Sequence, residues 1–456
     1  MIKKYLKIAG TSLLAIILAV TLTGCGSKKQ ETGEKELVIW GFVDEDVFKP
    51  IIKDYNKKNK IKVTYVKKQL SSNYENDALN SITSGQGPDV WAIPNDWVYR
   101  HKEKLAPIPE DVVKSNKLNV ADTFASFVQE DNVFDGKVYG LTPGVDMLQI
   151  YYNPTLFNKA TERASTALKS QSDVRKEITG ILGQFPITWD EFNKILPWLT
   201  VKNGNFIETS AVAMGTSNNV SYPEDVLSLL MLQNQTKMIS DDLGQASFNL
   251  PIKNSSGQEV YPGTNALDFY SSYANPASPN YTWNQSMPSD IQAFIEGKVA
   301  MIFNYSDLAG YLNQAYPNFK YTRALIPQIG DFNPITDYAS YTTFVVPEIS
   351  PVQSDAWNFI VQMSTKSYGT YNSATLTLAP NKNTEEKVLA NRRSRKGPTK
   401  TEIVSGTTWN KGRYPVELNN LFKDAISRVN AGSQSSQASL DTAATKLTEL
   451  LRRESW

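Results

Sequence analysis

The segment 37–66 contains two apolar runs of strand length on either side of an amphipathic helical pattern, an order that few folds accommodate. LVIWGF (37–42) is an apolar run of strand length, and IKVTYV (61–66) alternates as a second strand. Between them, one helical face collects Val47, Phe48, Ile51, Ile52 and Tyr55. A strand, a helix and a strand in this order form a crossover unit, which predicts a parallel sheet. Pro50 lies early in the helix and predicts a start displaced to Phe48 or Lys49.

The same alternation recurs further along the chain. TWDE (188–191) and SYPE (221–224) both have the spacing of a capping box and predict helix starts. Ser289 predicts a third start, Gly297 the end of that helix, and VAMIF (299–303) the strand that follows it. The pattern therefore predicts several strand–helix units.

The end of the chain is predominantly helical in pattern. SDAWNFIVQM (354–363) reads as a capped helix, and two further helices are predicted at 415–429 and 440–451. The charged stretch 381–400 between them predicts a solvated surface segment. We therefore expect an α/β fold with a helical C-terminal region.

The first 25 residues have the pattern of a lipoprotein export signal. Lysines at positions 3, 4 and 7 precede an uncharged run at 8–22, which ends at Leu-Thr-Gly-Cys. This pattern resembles the bacterial lipobox and predicts cleavage after residue 24 and lipidation of Cys25, the only cysteine in 456 residues. An uncleaved membrane anchor is the alternative. With a lipid on Cys25, GSKKQETGEKE (26–36) would form a flexible tether that holds the protein at the outer face of a membrane.

Composition argues against several classes of function. A formal net charge of +1 carries no signature of nucleic-acid binding. One histidine, His101, and one cysteine leave no Ser-His or Cys-His pair and no His-rich zinc site, and we expect His101 to be a solvated helix position. We therefore expect a non-enzyme without metal or other cofactor. A lipid-anchored glycoside hydrolase, which needs only two carboxylates, remains the alternative.

Four segments together resemble a known family. The first is GKVYGLTPGVDMLQIYYN (136–153), continued by PTLF (154–157); the others are SGQGPDVWAI (84–93), ITWDEF (187–192) and AFIEGKVAMIFNYSD (293–307). In this order they resemble the extracellular solute-binding proteins of ABC importers, in the sugar-binding, maltose-binding-protein-like family. The resemblance implies a monomer that captures a small solute, most simply a sugar, and delivers it to ABC permease subunits.

The resemblance also implies a periplasmic-binding-protein fold of two α/β lobes around a cleft. Chain crossings would lie near 142–147, 322–327 and 365–371, and 161–181 would be an insertion. Closure over the solute would then add contacts that an open form lacks, so that solute shifts the population toward the closed form. The predicted lobes are 37–144 with 327–366, and 145–325 with 367–456.

A cleft for sugars needs aromatic rings for the C–H faces and fixed polar groups for the hydroxyls. Asp146 is the first candidate, because the family resemblance puts a ligand-contacting carboxylate there; a turn-capping role is the alternative. Trp40 closes the first strand, at the end where open α/β sheets bind ligands, and core packing is the alternative.

Six further residues complete the predicted ligand-binding set, each with a structural alternative. Asp307 stands where the family has a stacking tryptophan, which leaves Tyr305 as the nearby ring. Asp146 and Asp307 together would also suit a cationic solute, and the pair Tyr151–Tyr152 leaves an iron cargo open. The six residues are Asp89, Trp283, Tyr305, Asp307, Tyr341 and Trp409.

Overall fold

A computed structural model describes residues 35–204, 206–330, 335–381 and 406–453. Cys25 and most of the charged stretch 381–400 lie outside the described residues. The described part contains helices α1 Glu45–Asn56, α2 Tyr74–Thr83, α3 Val98–His101, α4 Glu110–Asn116, α5 Val120–Thr123, α6 Ser126–Asn132, α7 Pro154–Ala167, α8 Ser172–Gln184, α9 Trp189–Leu199, α10 Pro223–Gln233, α11 Pro262–Ser272, α12 Asp290–Ile295, α13 Ser306–Ala315, α14 Gln353–Thr365, α15 Tyr368–Thr375, α16 Pro415–Asn430 and α17 Ser436–Arg452.

Its strands are short and distributed over several sheets. They are β1 Glu36–Gly41, β2 Lys62–Lys67, β3 Val90–Pro94, β4 Val133–Phe134, β5 Lys137–Val138, β6 Gly140–Leu141, β7 Asp146–Met147, β8 Gln149–Tyr152, β9 Val201–Asn203, β10 Phe206–Val212, β11 Ile252–Lys253, β12 Glu259–Val260, β13 Val299–Asn304, β14 Thr322–Ala324, β15 Asp337–Ser340, β16 Thr342–Val345 and β17 Gly406–Thr407.

The first five-stranded sheet has the order β2-β1-β3-β16-β6. Strand β1 is parallel to both β2 and β3, so the predicted crossover unit is confirmed. The predicted start of α1 is wrong, because the helix begins at Glu45 and carries Pro50 inside it. A proline there removes one helical hydrogen bond, while Glu45 and Asp46 place negative charge in the first turn, where the helix dipole favours it.

The second five-stranded sheet has the order β14-β8-β13-β10-β9. Strands β10 and β13 are parallel, and β8 runs antiparallel to β13 and β14. The run VDMLQIYYN (145–153) is divided between β7 and β8. Only β8 belongs to this sheet.

A three-stranded sheet, in the order β17-β15-β7, joins segments that are distant in sequence. Strand β15 pairs antiparallel with β7 and parallel with β17. Strand β14 (322–324), at the second predicted crossing, belongs to the second sheet. After the third predicted crossing, at 365–371, Leu378 still pairs with Val145. The segments that pair here are thus 146–147, 337–340 and 406–407.

The hydrophobic side chains separate into two large clusters. One gathers residues of β1, α1, β16 and α14, and it includes Tyr371 and Leu378. The other gathers residues of α7 to α11 with α16 and α17, and it includes Tyr338 and Trp409. Trp189 and Trp357 are buried in the cores, whereas Trp198 is half-buried. No helix within the described ranges is long and apolar enough to cross a membrane.

Helix starts match the predicted caps in two of the four places. The Thr188 hydroxyl accepts from the Glu191 N–H, and Ser289 caps α12, which is followed by Gly297 at φ +68°. The prediction at Ser221 is wrong: its N–H and hydroxyl both donate to the Asp290 carboxylate at 2.8 Å. Helix α10 begins instead with a proline, which has no N–H to satisfy. Helix α14 likewise begins at Gln353 without a side-chain cap.

Candidate functional site

Polar residues meet where strands of the two large sheets end. Strand β3 runs into a 3₁₀ turn that carries Asn95 and Asp96, and β13 runs into Tyr305, Ser306 and Asp307. Ligands of open α/β sheets bind beyond the carboxyl ends of the strands. The loops after β3 and β13 therefore form the candidate site.

A cavity of about 130 Å³ lies beside the turn after β3, and we call it the Asp96 cavity. It combines three acids, three aromatic rings and three neutral polar side chains. The volume is below the roughly 300–1,000 Å³ typical of drug-sized ligand pockets. Its lining residues are Asn95, Asp96, Tyr99, Glu130, Asp131, Phe134, Thr408, Trp409 and Asn410.

Asp131 organises the inner wall of this cavity. Its Oδ2 accepts from the Tyr341 hydroxyl at 2.6 Å and from the Asn95 amide at 2.9 Å. Its Oδ1 accepts from the Thr408 hydroxyl at 2.7 Å. Burial raises the pKa of Asp131 to about 6, although these three donors act against the rise. The carboxylate therefore holds the C-terminal segment at Thr408 against α6 and β3.

Lys411 is a buried cation at the far side of Asp96. Its Nζ lies 3.0 Å from Asp96 Oδ2 and 3.1 Å from Asn419 Oδ1, and its side chain is 4% exposed. Burial alone would lower the pKa of Lys411, but Tyr338 and the Asp96 and Asp225 carboxylates raise it well above its ordinary value. Lys411 therefore remains charged and balances the acids around it.

Asp225 connects this cation to the loop after β13. The carboxylate lies in the first turn of α10 and accepts a hydrogen bond from the Tyr305 hydroxyl at 2.8 Å. Burial raises the pKa of Asp225 to about 6, while the charge of Lys411 lowers it. Asp96, Lys411, Asp225 and Tyr305 form a chain that we call the polar junction.

Asp146 caps a helix from 160 positions away. Its Oδ2 accepts from the Ser306 N–H at 2.9 Å and from the Ser306 hydroxyl at 2.6 Å, at the start of α13. Its Oδ1 accepts from the Met147 N–H at 2.9 Å. Burial raises the pKa of Asp146 to about 7, and the neighbouring Asp307 adds to the rise. These bonds give Asp146 the structural capping role, and ligand contact stays a prediction.

Tyr305 and Asp307 flank the same helix start in different surroundings. Tyr305 is buried, and its ring meets the Tyr222 ring edge-on at 4.8 Å. Asp307 is exposed at its surface, and its carboxylate accepts from the Leu308 N–H. Partial desolvation of this carboxylate by the surrounding protein raises its pKa. The structure thus brings together Asp146, Tyr305 and Asp307.

Trp40 and Asp89 lie at opposite ends of the first sheet. Trp40 is 7% exposed at the carboxyl end of β1, with the Lys68 Nζ 3.6 Å from its ring centroid. Asp89 precedes β3 and accepts from the Val38 N–H and the Ser350 hydroxyl at the amino end. Asp89 is therefore separated from the other candidates by the length of the sheet.

Trp283, Tyr341 and Trp409 have three different settings. Trp283 is fully buried in a core cluster, and its Nε1 donates to Asn219 at 3.1 Å. Tyr341 reaches the Asp96 cavity only through its bond to Asp131. Trp409 lines the cavity directly, and its indole N–H is buried without a hydrogen-bond partner among the described residues.

The expectation that His101 is solvated is wrong. His101 is 2% exposed, packs against the Trp91 ring at 5.0 Å, and places Nε2 3.2 Å from a Glu75 carboxylate oxygen. Burial lowers its pKa, so the ring is neutral near pH 7. Within the described residues, no group of three or more histidine, cysteine or acidic side chains could hold a metal ion.

Sequence reasoning missed Asp96, Asp131, Asp225 and Lys411. The end of the VWAIP strand (90–94) could have pointed to Asp96, by the same rule that selected Trp40. Nothing local marks the other three, because their partners are distant in sequence.

Comparison with known proteins finds one protein family and several similar solved structures. A model of the bacterial extracellular solute-binding protein family matches residues 50–386. No curated protein sequence matches the chain. The similar solved structures include an ABC-transporter solute-binding protein of Thermotoga lettingae with α-D-tagatose, at 18% identity and a TM-score of 0.66, covering 91% of this chain and 100% of that one.

Two further structures are similar over nearly their whole length. The sugar-binding protein MalE of Xanthomonas citri shares 19% identity and a TM-score of 0.65, over 92% of this chain and 98% of that one. UgpB of Mycobacterium tuberculosis, in complex with glycerophosphocholine, shares 14% identity and a TM-score of 0.66, over 93% and 100%. These likenesses establish the expected periplasmic-binding-protein fold. Because the family model spans most of the sequence, the chain belongs to the bacterial extracellular solute-binding proteins.

Proposed function

We propose that this protein captures a sugar-class solute for an ABC importer and hands it to the permease. The observation that carries the proposal is the Asp96 cavity, where aromatic rings and hydrogen-bonding groups line one small space. Rings that pack on C–H faces and fixed polar groups that meet hydroxyls are what a sugar needs. The tagatose-bound and MalE structures with this fold support the same class.

Two lobes that close over the solute are part of the proposal. One lobe would contain the first sheet and its core, and the other the second sheet with α16 and α17. The three-stranded sheet β17-β15-β7 would be the hinge, because its strands come from the three segments that link the two cores. Tyr371 and Leu378 pack in the first core, which supports a third crossing at β17 in place of the predicted one at 365–371.

Contacts of the C-terminal segment support closure at this place. Thr408 donates to Asp131, Lys411 pairs with Asp96, and Arg413 pairs with Glu103. Each of these bonds joins a residue after β17 to one near the first sheet. In the proposed architecture, all three bonds would join the two lobes at the edge of the cleft.

For the solute contacts, we propose Trp409 as the principal ring and Asp131 as the principal acceptor, positioned by Tyr341. Asp146, Tyr305, Asp307 and Trp40 stay candidates at neighbouring strand ends. Asp89 and Trp283 have structural roles in this proposal, since one pins the amino end of β3 and the other is enclosed in a core.

Export and anchoring complete the proposal. The family is extracellular, so the protein is exported. We propose that a lipid on Cys25 holds it at the outer face of a membrane, where tethering raises its effective concentration near the permease. We further propose that it works as a monomer and returns the solute chemically unchanged.

A binding screen tests the proposal. The purified chain from residue 26 onward is titrated with a panel of mono- and oligosaccharides, and tryptophan fluorescence and melting temperature are recorded. A bound solute raises the melting temperature by mass action, and the Trp409 ring should report it. Trp409→Leu should remove the fluorescence response, whereas Trp198→Leu, on α9 and outside the lining of the Asp96 cavity, should leave it. A broad panel without any response would contradict a sugar-class cargo.

A further inference from the structure

The Asp96 cavity has more negative than positive charge available to a solute. Three of its lining residues, Asp96, Glu130 and Asp131, are acids, and none is a lysine or arginine. The exposed Glu130 side chain makes no hydrogen bond or ion pair with a described residue. Among the described residues, Asp131 accepts only from neutral donors.

The two ammonium groups near the cavity already have carboxylate partners. Lys411 pairs with Asp96 at 3.0 Å, and Lys102 pairs with Asp135 at 3.3 Å while its Nζ lies 5.1 Å from the Tyr99 ring centroid. Once these pairs are set aside, Glu130 and Asp131 have no cationic partner among the described residues. Uncompensated carboxylates beside a partly desolvated space favour a positively charged ligand.

The aromatic rings of the cavity fit the same kind of charge. Tyr99 and Phe134 meet edge-to-face at 5.3 Å, and Trp409 completes the set. Faces of aromatic rings attract ammonium groups, most strongly that of tryptophan. Acids and rings together therefore recognise a protonated amine.

A second feature requires an oxygen on the ligand. Trp409 lines the cavity, and its indole N–H is buried and donates to no described residue. A buried donor of this kind needs an acceptor, which an ammonium group cannot supply. A carboxylate acceptor would be repelled by Glu130 and Asp131, whereas a hydroxyl or ring oxygen would not.

We infer that the solute bound at this cavity carries a protonated amine beside hydroxyl or ring oxygens, as an amino sugar does. The inference rests on the proposed function and narrows it. The ammonium group lies between Glu130, Asp131 and the rings, and an oxygen of the same solute accepts from Trp409.

Isothermal titration with three related probes tests this inference. D-glucosamine should bind at least about tenfold more tightly than D-glucose or N-acetyl-D-glucosamine, because only its ammonium group can donate a charged hydrogen bond to the carboxylates. Acetylation removes the charge and retains the hydroxyls, so it isolates the amine. Glu130→Gln should reduce the preference for glucosamine about tenfold, and Glu162→Gln, which removes an exposed acid on α7, should leave it.

The outcomes distinguish this inference from the proposed function. Tight binding of glucose or N-acetylglucosamine without preference for glucosamine would overturn the inference of a protonated amine, but it would support the proposed sugar-binding function. Binding of none of the three would overturn the amino-sugar inference, and failure of the whole saccharide panel would overturn the proposed function too. Glu130→Gln is an exposed change, so loss of folding does not obscure the result, and Asp131→Asn serves as the second variant.

Discussion

Lys411 Nζ lies 3.0 Å from Asp96 Oδ2, although 315 positions separate the two residues in the sequence. Both side chains are largely shielded from water, at 4% and 18% exposed. This pair joins the turn after β3 to the segment after β17, and with Asp225 and Tyr305 it connects the ends of both large sheets.

Removing the cation should destabilise the protein strongly. Lys411→Met leaves Asp96 and Asp225 without their compensating charge, and breaking a buried pair in this way costs about 3–5 kcal/mol. Urea unfolding followed by circular dichroism measures the loss. Lys194→Met breaks the exposed pair with Glu177, at 2.7 Å, and should cost only about 0–1 kcal/mol. Equal losses in the two variants would show that Lys411 is not a buried charge.

A smaller loss is expected where the polar junction meets β13. Tyr305→Phe removes the hydroxyl that donates to Asp225 at 2.8 Å, and should lower the free energy of unfolding by about 1–3 kcal/mol. That hydroxyl also holds the pKa of Asp225 down, so the loss should be larger at pH 8 than at pH 5. Tyr261→Phe changes an exposed tyrosine and serves as the control. A loss that does not depend on pH would argue against the Asp225 bond.

Stability should depend on pH through Asp146. Its pKa rises from an ordinary value near 3.8 to about 7 in the folded chain, so the folded state keeps a proton that the unfolded chain releases. The free energy of unfolding therefore falls as pH rises from about 4 to about 7, by the contribution of this group. Asp146→Asn should make the melting temperature less dependent on pH within that window, and Asp111→Asn, an exposed change on α4, should not. If the dependence of melting temperature on pH were unchanged in Asp146→Asn, Asp146 would not titrate within that window.

Membrane attachment should depend on the single cysteine. Cys25→Ala removes the thiol that would carry the lipid, and the protein should move from the membrane to the medium or the soluble envelope fraction. Fractionation with immunoblotting detects the change, and Ser27→Ala controls for disturbance of the neighbouring sequence. Continued membrane attachment of Cys25→Ala would favour the uncleaved anchor.

Local sequence signals predicted the features of the fold that depend on residues close together in the chain. The β1-α1-β2 unit, the Thr188 and Ser289 caps and the stop at Gly297 depend on residues within a few positions of one another. The start of α1 was misplaced because one proline inside a helix costs less than the rest of that helix stabilises. Ser221 failed as a cap because Asp290, 69 positions away, takes both of its donors.

Site residues were harder, since their roles depend on partners from other parts of the chain. Asp146 matched a family position, yet its bonds to Ser306 at the start of α13 appear only when β7 and β13 are brought together. His101 looked solvated beside charged neighbours, whereas tertiary packing encloses it between tryptophans. Lys411 lies in a segment with no periodic pattern, and only the folded chain brings it to Asp96.

Small-angle X-ray scattering tests the central claim most directly, namely that the two halves close over a solute. A sugar that binds in titration is added to saturation, and the scattering curve is compared with that of the free protein. We expect a smaller radius of gyration with the bound solute, because closure adds the contacts that hold it. Identical curves with and without a solute that measurably binds would contradict the account.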